Sequence, residues 1–257
     1  MIPKIIHCFW SGGPKTKLAE KCLASWRKYA SGWEIREWNL ENLGVGGSGS
    51  CTKDGIPSFV WKAVEARKWA MVSDWARMWA LKECGGIYLD LDVELVKPVD
   101  ELPDGEWVAG EWTANGGTWM NPGGGIALEK GSPAAVAMLE RYAKLAFDPK
   151  REMMPWINEG LRGSGLRVLP PEVMSPIGVD GKMHRTEKTV GIHWYAMSWA
   201  SPKQKILQWM SWHGMRPLID AMLWCKSKVA LFIFTDGGRG NVGDATKVSR
   251  RIFRRDE

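Results

Sequence analysis

Residues 85–100 read GGIYLDLDVELVKPVD: two glycines, a short apolar run, then two aspartates one residue apart. Side chains alternate along a strand. The stretch therefore predicts one strand with Tyr88, Asp90, Asp92 and Glu94 on one face, and Ile87, Leu89, Leu91 and Val93 on the other. The apolar face needs a helix packed against it. An acidic face is costly to bury unless something positive meets it. An arginine or a divalent cation answers that need, and hard oxygen ligands suit magnesium or manganese. Without either, the stretch is an edge strand whose carboxylates are simply solvated.

The preceding residues bear on that choice. Val60, Val64, Met71, Trp75, Met78 and Trp79 recur at spacings of three and four, which predicts a helix over 60–83 whose stripe is interrupted by Arg67. Gly85 and Gly86 stop it. Asp74 and Arg77 lie three apart and share a face. A helix running straight into the acidic strand brings both toward the rim where α/β folds bind ligands. A guanidinium fork can hold phosphate or sugar hydroxyls, and a carboxylate accepts from sugar hydroxyls. The plain alternative is a surface ion pair worth less than about 1 kcal/mol.

The rest of the chain reads as α/β. Residues 2–10, IPKIIHCFW, predict a first strand, SGGP a turn, Leu18–Tyr29 a helix and WEIREWN a second strand. No GxGxxG fingerprint is present. Residues 43–57 are loop-like, and TANGGTWMNPGGG is a second glycine-rich loop. SPAAVAMLERYAKLA predicts a helix with Ser132 as cap and Pro133 at its first position. VGIHWYAMSWA reads as a strand and then a loop, and residues 203–213 as a helix. We expect one domain over 1–236, with a nucleotide half near 1–100 and an acceptor half near 101–236. A basic tail follows over 237–257.

Composition narrows the classes. The chain has 257 residues, 45% hydrophobic and 25% charged, enough for a sizeable core and too ordered a composition for disorder. Seventeen tryptophans suit packing first and stacking on sugars or bases second. The +6 charge suits an anionic ligand or surface, but no Lys/Arg block is long enough to favour nucleic acid. Five cysteines without a CxxC pair indicate neither a zinc ribbon nor a disulfide scaffold, so reduced thiols in a cytoplasmic setting are the expectation. No apolar run reaches eighteen residues, so no membrane span is expected. RIFRRDE at the end leaves open peripheral docking on the inner face of a membrane, or merely a solvated end.

IPKIIHCFW, SDWARMWALKECGGIYLDLDVELVKPVD and GIHWYAMSW, in that order, resemble the DXD-containing sugar-binding glycosyltransferases of family 32. The likeness runs over roughly residues 2–200. It implies a GT-A fold, a Rossmann-like mixed sheet flanked by helices with C-terminal helical additions. It also implies a retaining transferase using manganese or magnesium. The donor would be a nucleotide diphosphate-sugar, and the acceptor a glycan or lipid-linked saccharide.

By that likeness Asp74 and Arg77 contact the donor sugar, Asp90 meets ribose and sugar, and Asp92 binds the metal directly. Ile6 to Trp10 line the nucleotide pocket, with Phe9 or Trp10 near the base. His193 resembles a late metal-ligating histidine of related retaining enzymes. Ser198 and Trp199 resemble a serine–tryptophan pair that meets the metal shell and β-phosphate, at a different spacing. Asn115, Asn121 and the NPGGG loop fall near donor or acceptor, and Trp112 and Trp119 are candidates for stacking an acceptor. His7 and Cys8 lie inside a strand without further ligands nearby and read as structural. Two other classes compete: a metal-dependent nucleotidyltransferase or phosphodiesterase, and a non-catalytic nucleotide-sugar-binding protein. The first needs a second acidic cluster, and none is found outside 90–94.

Overall fold

The computed structural model describes residues 1–44 and 56–196, with isolated positions at Ile206, Met210 and Met215. The two long stretches fall in one compact unit, Met1–Lys205; a second unit, Ile206–Glu257, lies almost wholly outside the described residues. The expected 203–213 helix, the C-terminal additions and the basic tail fall there.

Strand β1 (Ile5–Phe9) leads through a turn into helix α1 (Lys17–Tyr29), and β2 (Glu34–Trp38) returns parallel to β1. Thr16 caps α1 by accepting from Ala19 N at 3.1 Å. Helices α2 (Ser58–Glu65) and α3 (Trp69–Cys84) follow, then β3 (Gly86–Tyr88), which pairs parallel with the other side of β1. The remaining elements are β4 (Val93–Leu95), β5 (Trp107–Trp112), β6 (Thr118–Met120), β7 (Ile126–Leu128), α4 (Pro133–Ala143), α5 (Met153–Leu161), β8 (Arg167–Leu169), α6 (Pro171–Met174) and β9 (Gly191–His193).

The main sheet has seven strands in the order β2-β1-β3-β7-β5-β6, with β8 pairing β5; β4 and β9 form a separate antiparallel pair. It is a mixed sheet. The β1–β2, β1–β3 and β5–β8 pairs are parallel, and β3–β7, β5–β7 and β5–β6 are antiparallel. Helices cover both faces, as the alternation of β1 requires. Ile6 and Cys8 pack with Leu23 and Trp26 of α1, while Phe9 packs with Trp75 and Met78 of α3. This is the expected GT-A-type α/β architecture.

Two sequence expectations need correction. The predicted helix over 60–83 is two helices, broken at residues 66–68 where Arg67 adopts φ +53°. The predicted strand over 87–93 stops at Tyr88, and the chain turns through residues 90–93, with Val93 N donating to Asp90 O at 3.0 Å. Ser132 and Pro133 stand at the start of α4 as expected, but the serine side chain makes no capping bond.

His7 locks the first three strands together. It is fully buried; its Nε2 donates to Gly85 O at 2.8 Å, and its Nδ1 accepts from Trp38 Nε1 at 3.0 Å. Only the neutral ring satisfies both bonds, because a proton on Nδ1 would face the indole N–H. Burial pushes its pKa down from 6.5 to about 4, against the raising effect of the Gly85 bond. The folded pKa lies below the unfolded one. The stabilisation is therefore complete above pH 6.5 and is lost as pH falls toward 4, amounting to roughly 3 kcal/mol. Urea unfolding from pH 7 to pH 4 should show this loss in the native chain and a flatter profile in His7→Gln. Equal slopes in the two proteins would rule the contribution out.

Candidate functional site

The turn after β3 and the β4–β9 pair build the site. Asp90 and Asp92 stand on the turn, and β9 sets His193 opposite Val93. His193 Nε2 lies 3.3 Å from Asp92 Oδ1. One ligand atom from each of Asp90, Asp92 and His193 falls within 4.8 Å of the others, so the three side chains could hold a metal ion. A continuous strand would have strung the two aspartates along its length; the turn gathers them at the end of the sheet.

Burial alone would raise the Asp92 carboxyl, but the adjacent His193 imidazole outweighs it and holds the group below the usual carboxylate range. Burial likewise works to lower His193, and the Asp92 carboxylate overrides it, raising the imidazole above its ordinary value. A cation on this pair therefore competes with a proton. Asp92 Oδ2 accepts from Ala196 N at 2.8 Å, which ties the chain after β9 to the same carboxylate.

Arg77 reaches the cluster from α3. It is 3% exposed, and its Nη1 donates to Asp74 Oδ1 at 3.0 Å while Nη2 donates to Asp90 Oδ1 at 3.3 Å. Its guanidinium lies 4.8 Å from the centre of the Tyr88 ring. Burial pushes the Asp74 carboxyl up to about 6, a shift that Arg77 opposes and Asp90 reinforces. The helix spacing of these two residues thus yields a three-membered ion network around a buried guanidinium, with Asp74 and Asp90 partly exposed, more than a surface pair.

The NPGGG segment forms the opposite wall. Asn121 N donates to Ala109 O at 2.7 Å and Ala109 N donates to Gly125 O at 2.8 Å, so the residues between bulge out of the sheet. Gly123 O in turn accepts from Asp90 N at 3.0 Å. A Cβ on Gly123 would stand 2.3 Å from Asp90 Oδ2, and one on Gly124 2.6 Å from Ser175 Oγ. A side chain at either position would have to displace the Asp90 carboxylate or the Ser175 hydroxyl, so the glycines preserve the site's arrangement. Asn121 is buried and fixes the bulge: its Oδ1 accepts from Gly123 N and Gly124 N, each at 3.1 Å. That orients its Nδ2 toward Glu111 Oε2 at 2.6 Å and His193 Nδ1 at 3.3 Å. The ring of Tyr195 lies against His193, with centroids 4.2 Å apart.

The structure brings together Asp74, Arg77, Asp90, Asp92, His193 and Asn121. Of the first-strand residues, Ile6 and Phe9 are packed in the core. Trp10 lies partly exposed past the strand end, its Nε1 donating to Gly13 O at 2.9 Å. Asn115 stays in the exposed β5–β6 turn, bonded to Thr113. Trp112 packs edge-on to His184 at 5.2 Å, and Trp119 is 44% exposed. Ser198 and Trp199 lie outside the described residues. Sequence reasoning missed Glu111, whose carboxyl burial raises, because β6 hides inside what reads as a glycine-rich loop. It also missed Tyr195, which follows the end of β9 with a left-handed backbone, φ +49°, so no strand period signals its place against His193.

Residues 16–109 match the family model described as "Glycosyltransferase sugar-binding region containing DXD motif". No curated protein matches. Among solved structures, the chain is similar to "PaToxG Glycosyltransferase", with 21% identity, 62% of this chain and 69% of that one covered, and a TM-score of 0.47. It is also similar to a "glycosyltransferase involved in the glycosylation of the major capsid of PBCV-1", with 14% identity, coverage of 79% and 97%, and a TM-score of 0.41. Among the described residues no helix is long and apolar enough to cross a membrane. The described residues form a glycosyltransferase-like domain of GT-A type, with a DXD motif whose carboxylates converge with His193 on a potential cation site.

Proposed function

We propose that the chain is a retaining hexosyltransferase. It moves a sugar from a nucleotide diphosphate-sugar to a hydroxyl of a glycan or lipid-linked acceptor, with manganese or magnesium as cofactor. The convergence of Asp90, Asp92 and His193, backed by the Arg77–Asp74 pair, carries this reading. The donor set fits such an ion: two carboxylates offer hard oxygens, the imidazole suits manganese, and Asp92 is held ionised. Asp92 and His193 would be its ligands. A bound divalent cation would offset the charge that develops on a diphosphate leaving group.

The protein's own groups do the rest. Arg77 is nearly buried and both its Nη atoms are engaged, so it serves the donor sugar by holding Asp74 and Asp90 in place. Asp74 and Asp90 then accept from sugar and ribose hydroxyls. Trp10 is the first-strand aromatic with an accessible ring for the base, while Ile6 and Phe9 shape the strand beneath it. Ser198 and Trp199 would complete the phosphate side. In the transfer, the bond from the anomeric carbon to the β-phosphate oxygen breaks and the bond to the acceptor oxygen forms on the same face. The acceptor proton passes to the leaving phosphate. Such an enzyme would work in the cytoplasm, where nucleotide-sugars are made.

The test is a panel of nucleotide-sugars incubated with and without manganese. We expect one donor to release nucleoside diphosphate in a manganese-dependent way. Release of nucleoside monophosphate would support a phosphodiesterase or nucleotidyltransferase instead. Nucleotide-sugar binding without any turnover would support a binding protein.

A further inference from the structure

The β5–β6 hairpin carries a surface that the donor site does not use. Register pairs Glu111 with Trp119 and Trp112 with Thr118. Residues directly opposite share a face, so Trp119 lies on the side of Glu111, and Trp112 turns to the other side, against His184. Glu111 leads directly to the cation site: its Oε2 accepts from Asn121 Nδ2 at 2.6 Å, and the same nitrogen lies 3.3 Å from His193 Nδ1. Among the described residues nothing bonds its other oxygen, Oε1. The indole beside it is 44% exposed, unusual for so large an apolar ring in a folded sheet.

The strand that bears Trp119 is held rigid. Asn158 of α5 accepts from Met120 N at 2.8 Å and donates to Met120 O at 2.9 Å, occupying the strand edge as a further strand would. An exposed flat ring on a strand fixed at its edge, in register with a residue whose Oε1 has no partner among the described residues and whose carboxylate reaches His193 through Asn121, suits a sugar ring. The apolar face of a pyranoside can lie on the indole while a hydroxyl reaches the carboxylate.

We propose that Trp119 and Glu111 form the acceptor subsite: Trp119 stacks a pyranoside of the acceptor, and Glu111 Oε1 accepts from one of its hydroxyls. This rests on the transferase reading above. It separates two tryptophans that are alike in sequence, assigning Trp119 to the acceptor and Trp112 to packing.

The experiment takes the donor that turns over with manganese and offers methyl hexopyranosides as acceptors. It reads the ratio of saccharide transfer to donor hydrolysis. Trp119→Ala should lower that ratio about tenfold through a higher acceptor KM, Trp119→Phe should recover most of it, and Trp112→Ala should match the native chain. A Trp119→Ala ratio within twofold of native, an equal loss in Trp112→Ala, or hydrolysis with no transfer to any pyranoside would each overturn the subsite. No turnover of any donor by the native chain would instead remove the transferase reading, and the subsite with it.

Discussion

Asp92→Asn should reduce sugar transfer by about a thousandfold or more while the protein stays folded. The size follows from the site's chemistry. A Lewis-acidic ion contributes several kcal/mol to a developing diphosphate charge, and about 4 kcal/mol is a thousandfold in rate. Asparagine keeps the shape of the side chain, and its amide oxygen can still accept from Ala196 N. What it removes is the charge that keeps the His193 imidazole above its ordinary pKa and makes Asp92 an anionic ligand. Thermal melting should therefore change little, while turnover and manganese affinity fall together. Native turnover in this variant would contradict the ligand role.

Arg77→Met should be the most destabilising single change in the site, by about 2–4 kcal/mol, because it leaves the largely covered Asp74 carboxylate without its cation, while water partly screens the more exposed Asp90. Methionine fills the stem of the arginine but cannot donate to Asp74 or Asp90. Asp74 already titrates near 6 because burial opposes its charge and Arg77 only partly compensates. A carboxyl whose folded pKa is raised favours the folded state below its unfolded pKa, and that support is lost as pH rises through the folded value. Without Arg77 the Asp74 carboxyl rises further, so the deficit should be larger at pH 8 than at pH 5. Urea unfolding at both pH values measures it. A loss below about 1 kcal/mol at both would mean that the network behaves as a surface pair.

The α/β architecture was legible because β1, α1, β2 and α3 each show their period over a long enough run. The Asp74–Arg77 pair was legible for the same reason, since i,i+3 spacing survives wherever the helix forms. The break at residues 66–68 was not, because Ala66, Arg67 and Lys68 all favour helix, and only the tertiary packing of α2 and α3 imposes the left-handed Arg67. The two aspartates announced a site, but their true geometry depends on the turn over residues 90–93. The burial of Leu89, Leu91 and Val93 mimics a continuing strand through that turn. Glu111 and the bulge at Asn121 depend on pairing between β5, β6 and β7. No local pattern in TANGGTWMNPGGG encodes that three-way register.

The most direct test of the central claim is anomalous diffraction at the manganese edge from crystals soaked in Mn²⁺ with UDP or GDP. We expect a peak at coordinating distance from the carboxylate of Asp92 and Nε2 of His193, with the diphosphate beside it, and no such peak in Asp92→Asn crystals. A nucleotide bound at the end of β3 with no manganese peak between these two side chains would contradict it.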